Sequence, residues 1–408
     1  MNILIINHYA GSPIHGMEHR HFYLAREWIR LGHRVSIVAA SHSHLRNQRP
    51  RISGFIAYEE IEGIRYCWLR TPGYSGNGIM RVLNMTVFAL MLPVLRSGFV
   101  RDCKPDLVIA SSPHPFVIFG AARIARAAGA KLFFEVRDLW PLTLTELGNI
   151  SPRHPLVAAM SWTEKYAYSV SDKVVSLLPR AGEYMTARGM SAEKFIYSPN
   201  GVDIAEWESN DSPIPGLHYE LLLRLKTEGR FVVGYAGAHG MANALDALIE
   251  AAALLKNHPV TFVLVGQGPG KEALLNRAKE KGLANIEFLP PVPKASVPRL
   301  LAGMDILFIG WTKQPLYRFG ISPNKLMDYM MASRPVVHSV AAGNDPVAES
   351  GCGISVAPEN PGAVAKAVLK LFNMTSDARE RMGLRGKEYV TVNHDYRVLA
   401  QRFLEAAA

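Results

Sequence analysis

Short apolar runs alternate with amphipathic segments along the whole chain. The first run, at residues 3–6, is typical of a strand buried on both faces of a parallel sheet. A segment with helical spacing follows from about His19 to Leu31, and Gly32 ends it before a second apolar run at 35–38. Strand, helix and strand in such close succession predict a βαβ unit.

The same unit recurs in both halves of the chain. In the first half, further strands are predicted at residues 107–110, 132–136, 174–177 and 195–197. In the second half, strands are predicted at residues 231–237, 261–265, 286–289 and 306–309. A polar stretch at 206–215 is predicted to be a loop between the two series. The pattern predicts an α/β fold with two facing, doubly wound, Rossmann-like domains and a cleft between them.

The length and composition agree with two globular domains. The 408 residues exceed one average hydrophobic core. An apolar fraction of 49% and a charged fraction of 20% are those of a globular protein. We expect residues 1–200 to form the N-terminal domain and residues 201–390 the C-terminal domain. Residues 391–408 are expected to be a terminal helix that packs back toward the N-terminal domain.

One stretch, at residues 79–100, is more apolar than its surroundings. Between Arg81 and Arg96 it carries a single proline and almost no polar residue, and it is too short to span a bilayer comfortably. A helix buried in the N-terminal domain is one interpretation. The other is an interfacial helix that dips into the head-group layer of an anionic membrane between its flanking arginines. The sequence leaves both open.

The cysteines and the first residues indicate the compartment. The cysteines at positions 67, 103 and 352 lie far apart, which disfavours a disulfide framework or a zinc site and fits a reducing cytoplasm. The start, MNILIINHYA, has no basic leader and no long apolar core, so we expect a first strand rather than a signal peptide.

A formal net charge of +10 calls for an anionic partner. Nucleic acid is not expected, because no Lys/Arg cluster with interleaved aromatic residues is present. An anionic membrane surface and phosphate-bearing substrates remain.

Glycine-containing loops follow three predicted strands or turns of the second half, at residues 237–240, 266–270 and 319–324. Glycines let a ligand approach the backbone, and consecutive N–H groups bind anions. The third loop leads into a helix with Lys325 near its start and Asp328 one turn on. A helix N-terminus with a lysine suits a phosphate, and the carboxylate suits sugar hydroxyls. Together these features predict a site for a nucleotide diphosphate, although each alone is also found in an ordinary capped helix.

Other nucleotide sites and metal sites are not expected. The loop after the first strand lacks G-x-G-x-x-G, and no acidic residue ends the second strand, which disfavours a dinucleotide-dependent dehydrogenase. No G-x-x-x-x-G-K-S/T is present, so a P-loop is excluded. Histidines are numerous in the first-half loops, but we predict no structural metal and no cofactor.

Two features of the first half are candidates for contacts with substrate. Gly16 is either a turn glycine or a point of close approach to phosphates from across the cleft. Arg137 and Asp138 follow a strand beside Trp140 and Pro141, where they form either a structural ion pair or contacts near the reacting centre.

Several of these segments together carry a family resemblance: HFYLAREWIRLGHRVSIV, EVRDLWP, SPNGVD, VGYAGAHG, LVGQGPG and SPNKLMDYMMASRPVV. With them the chain resembles a retaining glycosyltransferase of the GT-B fold, family 4, over essentially its whole length. It looks most like the enzymes of bacterial surface-polysaccharide assembly, including L-fucosamine transferases of O-antigen synthesis.

The resemblance implies a nucleotide-sugar donor, with UDP as the nucleotide, in the C-terminal domain and an acceptor in the N-terminal domain. The family's ribose-binding glutamate falls on Asp328, and a second glutamate that is normally near the donor sugar falls on Gly320. An Arg/Lys pair of the family is replaced by Ala238, His239 and Gly240, which leaves Lys325, His239 and backbone N–H groups to offset the diphosphate charge.

The same resemblance implies differences in the first half. The family's Gly-Gly is Gly16-Met17, and its His-Asp is Arg137-Asp138. The predicted catalytic residues are Asp138, Arg137 and Lys325. The predicted donor-binding residues are Gly16, Gly237, His239, Gly240, Gly266, Gly268, Leu289, Ser322, Pro323, Asn324, Lys325 and Asp328.

The implied reaction retains the anomeric configuration at the front face of the donor, with the donor phosphate helping to take the acceptor proton. The expected sugar is an N-acetylated hexosamine or deoxyhexosamine, and the expected acceptor is a polyprenyl-diphosphate-linked or other saccharide. The expected location is the cytoplasm, peripheral on the inner face of the cytoplasmic membrane. Two alternatives stay open: a GT-B-fold nucleotide-sugar epimerase, and a nucleotide-sugar-binding subunit with weak catalysis.

Overall fold

The computed structural model describes residues 1–16, 19–44, 46–76, 78–112, 114–209 and 212–407. The chain forms two compact units. The first comprises Met1–Asn200 together with Tyr396–Ala408, and the second comprises Gly201–Asp395.

The first unit is built on an eight-stranded sheet. Its strands are β1 (Asn2–Ile6), β2 (Arg34–Ala40), β3 (Ile56–Ile61), β4 (Ile64–Leu69), β5 (Leu107–Ser111), β6 (Lys131–Val136), β7 (Lys173–Ser176) and β8 (Phe195–Tyr197). Their order is β3-β4-β2-β1-β5-β6-β7-β8, and all neighbours are parallel except the edge hairpin β3–β4. The strand order reverses between β1 and β5, so the loops after these two strands lie where open α/β sheets bind ligands.

Helices cover this sheet. They are α1 (Arg20–Arg30), α2 (Ile79–Val94), α3 (Arg96–Cys103), α4 (Val117–Ala128), α5 (Leu142–Glu146), α6 (Pro155–Val170) and α7 (Ala181–Ala187). The strands that the apolar runs predict in this half are all present. The hairpin β3–β4 was not predicted, because its outer strand, IAYEEI, mixes apolar and acidic residues at an edge.

The apolar stretch at 79–100 divides into α2 and α3, which are bent by 63° relative to each other. One side of α2 buries Phe88 and Leu92, and the glycine at position 120 of α4 gives Leu92 the room to approach. The other side is exposed, with Leu90 at 63% and Val94 at 80% of their full accessibility. The interpretation as a core helix therefore fits one side of α2 only.

None of the described helices is by itself long and apolar enough to cross a membrane. By length and composition alone, the bent pair α2–α3 meets that requirement together.

The second unit is built on a six-stranded, fully parallel sheet. Its strands are β9 (Phe231–Ala236), β10 (Val260–Val265), β11 (Ile286–Leu289), β12 (Ile306–Gly310), β13 (Val336–Ser339) and β14 (Gly353–Val356), in the order β11-β10-β9-β12-β13-β14. Its helices are α8 (Ile204–Ser209), α9 (Gly216–Thr227), α10 (Leu245–Leu254), α11 (Lys271–Glu280), α12 (Val297–Ala302), α13 (Asn324–Met331), α14 (Pro346–Ser350), α15 (Pro361–Phe372) and α16 (Ser376–Asn393). The strand order reverses between β9 and β12, which places the loop after β9 at the switch point.

Alternate strand residues of this sheet belong to two different core clusters. Val232 and Val263 pack in one cluster, whereas Val233 and Leu264 pack in the other. Side chains alternate across a strand, so both faces of the sheet are covered. This explains why the strands are continuous apolar runs in the sequence.

Part of the polar stretch predicted as a loop at 206–215 is helical. Its start lies in α8, because the Asp203 carboxylate accepts the Glu206 N–H at 2.7 Å and caps the first turn. Residues 210–211 lie outside the described part of the chain.

The last helix, α17 (Tyr396–Glu405), packs on α1 in the first unit. Trp28 Nε1 donates to the Ala400 carbonyl at 2.9 Å, and the rings of Tyr23 and Tyr396 stack with centroids 5.0 Å apart. A buried aromatic contact of this kind fixes the terminal helix on the unit that begins the chain.

Candidate functional site

The strongest candidate site of the second unit lies where α13 approaches the loop after β9. Lys325, in the first turn of α13, donates from Nζ to Tyr235 Oη at 2.9 Å and to Asn243 Oδ1 at 2.7 Å. The ammonium also lies 4.6 Å from the centroid of the Tyr235 ring. A Cβ built on Gly237 would lie only 3.2 Å from Nζ, so this glycine gives the ammonium access to the loop backbone.

Lys325 is a cation without a carboxylate partner among the residues described. Burial lowers the pKa of its ammonium to about 8. A desolvated cation held only by neutral oxygens and an aromatic ring is costly for the protein unless an anion arrives. The geometry therefore favours an anion at this point.

The first turn of α13 strengthens that site. Pro323 precedes the helix and its side chain does not cap it, and in the described structure neither the Asn324 nor the Lys325 N–H has a hydrogen-bond acceptor. These N–H groups, with the positive end of the helix dipole, favour negative charge beside Lys325.

The loop before α13 has a backbone that requires glycine. Gly320 has φ of 109° and ψ of 177°, a region that residues with a side chain rarely adopt. Two contacts hold it: the Gly320 N–H donates to Tyr317 O at 2.9 Å, and the Ile321 N–H donates to Asn344 Oδ1 at 2.7 Å. The glycine where the family has a glutamate is thus built into the loop conformation. Ser322 is partly buried between this turn and the helix.

Asp328 lies one turn further along α13 and is partly exposed. Burial raises the pKa of its carboxyl to about 7, with Lys294 opposing the rise and Glu206 adding to it. Within the part of the chain that is described, no donor reaches this carboxylate. It is therefore available to accept hydrogen bonds from hydroxyl groups of a ligand.

His239 is buried in the loop after β9, and neither of its ring nitrogens has a hydrogen-bond partner in the structure as described. Burial, with the charges of Lys271 and Lys325, lowers the pKa of this histidine to about 4. The ring is neutral at neutral pH in the unliganded protein, and the prediction that His239 helps to offset a diphosphate charge stays a prediction. A hydrogen bond from the ring is still available.

Gly266 and Gly268 pack around the backbone of the His239 loop. A Cβ on Gly266 would lie 1.9 Å from the Gly237 carbonyl oxygen, and one on Gly268 would lie 2.8 Å from the His239 nitrogen. The Gly266 N–H donates to the Leu289 carbonyl at 3.1 Å. These glycines thus make room for the protein's own loop, and their predicted role in donor binding remains a prediction.

Three residues that hold the site together were not predicted. The Tyr235 O–H donates to the Ala238 carbonyl at 2.7 Å, and Asn243 Nδ2 donates to the same oxygen at 3.0 Å. Tyr329 Oη accepts the Ala236 N–H at 2.7 Å and donates to the Ala236 carbonyl at 3.1 Å, which joins α13 to the end of β9. The sequence offered one signal, a tyrosine hydroxyl at the end of an otherwise apolar strand.

The predicted residues of the first unit lie in two separate loops. After β6, the Arg137 N–H donates to Ser112 Oγ at 3.1 Å, and the Asp138 side chain is exposed. After β1, Gly16 has φ of 91°, and a Cβ there would lie 2.9 Å from the Asn47 nitrogen. Gly16 is thus required where its loop packs against the loop after β2. The neighbouring Met17 lies outside the described residues.

A buried polar network in the first unit was also missed. The Glu135 carboxylate accepts from Arg20 Nε at 2.9 Å, from His21 Nε2 at 2.6 Å and from Ser111 Oγ at 2.6 Å. Burial alone raises the pKa of Glu135, but His21 and Arg20 outweigh it and hold the value well below the usual range. A glutamate inside the apolar run FFEV was the available signal. The network ties α1 to the ends of β5 and β6.

Among the described residues, no group of three or more His, Cys, Asp or Glu side chains is placed to hold a metal ion.

Comparison with known protein families indicates the class of protein to which these features correspond. Residues 15–201 match the glycosyl transferase 4-like domain, and residues 230–374 match the glycosyl transferases group 1. Two doubly wound parallel-sheet units with such matches define a glycosyltransferase of the GT-B fold, and the predicted fold class is confirmed. Both matches are to glycosyltransferase models and together they cover most of the chain, so glycosyltransferase is the class that the comparisons support.

Individual proteins are similar over large parts of the chain. The putative colanic acid biosynthesis glycosyl transferase WcaI of Escherichia coli (strain K12) is 27% identical over 67% of this chain and 68% of its own length. The structure of Alr3699/HepE of Anabaena in complex with UDP and glucose has a TM-score of 0.66 and 17% identity, covering 99% of this chain and 98% of that one. The structure of WaaG, a glycosyltransferase involved in lipopolysaccharide biosynthesis, has a TM-score of 0.64 and 15% identity, also covering 99% and 98%.

Proposed function

We propose that the protein is a retaining glycosyltransferase of surface polysaccharide biosynthesis that uses a nucleotide-diphosphate sugar, with UDP as the nucleotide. The observation that carries the proposal is Lys325, a desolvated ammonium with no carboxylate partner among the described residues. It lies at the uncapped start of α13 and beside Gly237. A diphosphate supplies the missing negative charge.

The ribose and the base of the donor would lie further along the same helix. Asp328 offers a carboxylate without a donor in the described structure, one turn from Lys325, and we assign it to the ribose hydroxyls. The family resemblance supports this assignment. The choice of UDP is supported by the HepE structure, which holds UDP.

In the reaction, the bond between the sugar C1 and the leaving diphosphate oxygen breaks. A bond from C1 to the acceptor oxygen forms on the same face, and the acceptor proton passes to the donor phosphate. Lys325 and the first N–H groups of α13 stabilise the negative charge that develops on the diphosphate, and they do so without a metal ion. The exposed carboxylate of Asp138 and the neighbouring Arg137 are assigned to the acceptor side.

The proposed acceptor is a saccharide linked to a polyprenyl diphosphate, and the proposed sugar is an N-acetylated hexosamine or deoxyhexosamine. The exposed apolar side of α2, which includes Leu90 and Val94, supports contact with a membrane surface. The names of WcaI and WaaG, which refer to colanic acid and lipopolysaccharide biosynthesis, support the polysaccharide assignment.

The donor assignment is tested by calorimetry with UDP, GDP, ADP and dTDP. We expect UDP to bind the unaltered protein and to bind Lys325→Met about 10- to 150-fold more weakly, the range for a lost hydrogen bond to a charged group. Lys313→Met is a matched control, since Lys313 is exposed and its side chain has no partner in the described structure. Equal UDP affinity in all three proteins would contradict the site.

The reaction is then tested with UDP-sugars and a lipid-linked acceptor, and the products are analysed by mass spectrometry and NMR. A product linkage with the same anomeric configuration as the donor sugar supports retention. Consumption of the donor without acceptor indicates an epimerase instead. Binding of UDP with no transfer to any acceptor indicates a binding subunit.

A further inference from the structure

The first unit contains a cluster of cationic and aromatic side chains that the donor site does not use. Its members follow the strands on both sides of the switch point: His8 after β1, Arg46 after β2 and His114 after β5. Arg81 and Asn84, both in the early part of α2, complete it. The carboxyl ends of parallel strands meet at one edge of a sheet, which explains why these residues meet.

Arg46 is the least satisfied member. Its Nη2 donates to the Ala40 carbonyl at 2.7 Å, and its guanidinium lies 4.5 Å from the centroid of the Trp68 ring. Its Nε and Nη1 are buried and have no hydrogen-bond partner in the structure as described. The carboxylate bonded to Trp68, Glu59, accepts from Trp68 Nε1 at 2.8 Å and lies 3.3 Å from His15 Nε2, so it is not paired with Arg46.

The titratable groups that act on His8 are basic. The charged groups that act on His8 are His114, Arg46 and Arg81, and all of them are cationic when charged. His8 and His114 themselves stay neutral: burial, with Arg81, lowers the pKa of His114 to about 3, and its two ring nitrogens have no partner among the described residues. Buried polar groups are normally satisfied by protein, water or ligand, and the phosphate oxygens of a ligand would accept from the N–H groups of this cluster.

Arg81 faces the same region from α2. Its Nε donates to Tyr9 Oη at 2.9 Å, and its guanidinium lies 5.6 Å from the centroid of that ring. The exposed apolar side of α2 begins beside it, since Ile79 is 82% exposed and Val82 is 52% exposed. A positive, hydrogen-bond-donating cluster thus adjoins an exposed hydrocarbon surface on one helix.

We propose that Arg46 and Arg81 bind the phosphate groups of a prenyl-diphosphate-linked acceptor, whose hydrocarbon chain lies along the exposed side of α2. Guanidinium N–H groups form charge-assisted hydrogen bonds to phosphate oxygens, and Nε and Nη1 of Arg46 have no partner in the described structure. Apolar side chains on α2 bury the first part of the prenyl chain. The site rests on the proposed transferase function and names the part of the first unit that holds the acceptor.

The test uses farnesyl diphosphate as a short, water-soluble probe, with farnesol and UDP as comparisons, and measures affinity by calorimetry. Farnesyl diphosphate is expected to bind the unaltered protein more tightly than farnesol does. Arg46→Met should weaken farnesyl diphosphate binding by about 10- to 150-fold and leave UDP affinity unchanged. Arg49→Met is the matched control, because Arg49 is exposed and lies in the same loop.

Each alternative has its own result. A loss of UDP affinity in Arg46→Met would show that this arginine serves the donor and would overturn the proposal. Unchanged farnesyl diphosphate binding would overturn it as well. Reduced binding to anionic phospholipid vesicles, with unchanged farnesyl diphosphate affinity, would reassign Arg46 to lipid head groups. Lys325→Met separates the two sites, since it should weaken UDP binding and leave farnesyl diphosphate binding intact whether or not the protein transfers sugar.

A second variant at the same position distinguishes a loss of binding from a loss of folding. Arg46→Lys keeps the positive charge but loses the planar set of guanidinium N–H donors. It should retain the thermal midpoint of the unaltered protein and bind farnesyl diphosphate with intermediate affinity. Full affinity for farnesyl diphosphate in Arg46→Lys would refute the role of Nε and Nη1. Complete loss of affinity with an unchanged thermal midpoint would show that binding requires the guanidinium.

Discussion

The pH dependence of donor binding is the most direct consequence of the site in the second unit. Burial raises the pKa of Asp328 to about 7 and lowers the pKa of Lys325 to about 8. Donor binding as proposed needs the carboxylate of one and the ammonium of the other. The two requirements overlap only in a narrow range, so the affinity for a UDP-sugar should follow a bell-shaped curve with its maximum near pH 7.5.

The size of the effect follows from the two titrations. At pH 7.5, about 60% of the molecules carry both charges, whereas at pH 6 and at pH 9 the fraction falls to about 10%. Affinity should therefore be about six-fold weaker at either end. A UDP-sugar is the right probe, because the terminal phosphate of UDP itself titrates near pH 6. Calorimetry from pH 5.5 to pH 9.5 measures the curve.

Two variants assign the limbs of the curve. Asp328→Asn should remove the acid limb, and Lys325→Arg should remove the alkaline limb, because a guanidinium stays charged throughout this range. A flat curve for the unaltered protein, or an acid limb that survives in Asp328→Asn, would refute the assignment of these two residues to the donor.

The free energy of unfolding of the unliganded protein should fall over the pH range in which ionisation of Asp328 raises the affinity for the donor. The carboxyl of Asp328 is protonated in both the folded and the unfolded state below its ordinary pKa of 3.8, and it is ionised in both states well above about 7. Its contribution to stability is therefore fully present below 3.8 and is lost as the pH rises through about 7. The loss is at most about 4 kcal/mol, reduced by the partial exposure of the side chain. Asp328→Asn should be more stable than the unaltered protein at pH 8 in urea unfolding.

Five further variants test the packing around the site and on α2. Tyr235→Phe removes one acceptor of the Lys325 ammonium and should weaken UDP binding about 3- to 10-fold in calorimetry with little change in thermal midpoint; an unchanged affinity would exclude a positioning role. Gly320→Ala should cost about 1–3 kcal/mol in urea unfolding because of its φ of 109°, whereas Gly216→Ala, at an open position with ordinary φ, should cost less than 1 kcal/mol. Phe88→Ala, in the core, should lower the free energy of unfolding by about 3–5 kcal/mol. Leu90→Ser, at 63% exposure, should leave stability nearly unchanged and reduce binding to anionic vesicles. The reverse pattern would contradict the assignment of the two sides of α2.

The strands of both sheets could be predicted from the sequence because they are buried on both faces. A run such as residues 260–265 has no polar side to present, so its composition alone marks it as a central parallel strand. The hairpin β3–β4 could not be found in this way. It lies at a sheet edge, where Glu59 and Glu60 are tolerated and the apolar signal is diluted.

In the candidate site, too, some residues could be predicted from the sequence and others could not. Lys325 and Asp328 were accessible from sequence, because a glycine-containing loop before a helix is a local signal. The partners that position Lys325 were not, since Tyr235 and Asn243 are about eighty to ninety residues away in the chain and meet it only through the packing of α13 on the end of β9. The neutral state of His239 also needed the structure, because burial and nearby cations determine it.

The structure also explains how the site manages without the Arg/Lys pair that the family resemblance leads one to expect after β9. Ala238, His239 and Gly240 occupy that loop, and the single buried histidine is neutral. Lys325 reaches the same loop from α13, since its Nζ would lie 3.2 Å from a Cβ on Gly237. One desolvated ammonium therefore delivers the positive charge to the place where the resemblance puts two cations. Because His239 is neutral at neutral pH in the unliganded protein, the loss of Lys325 should reduce donor affinity more than the loss of one member of a cationic pair.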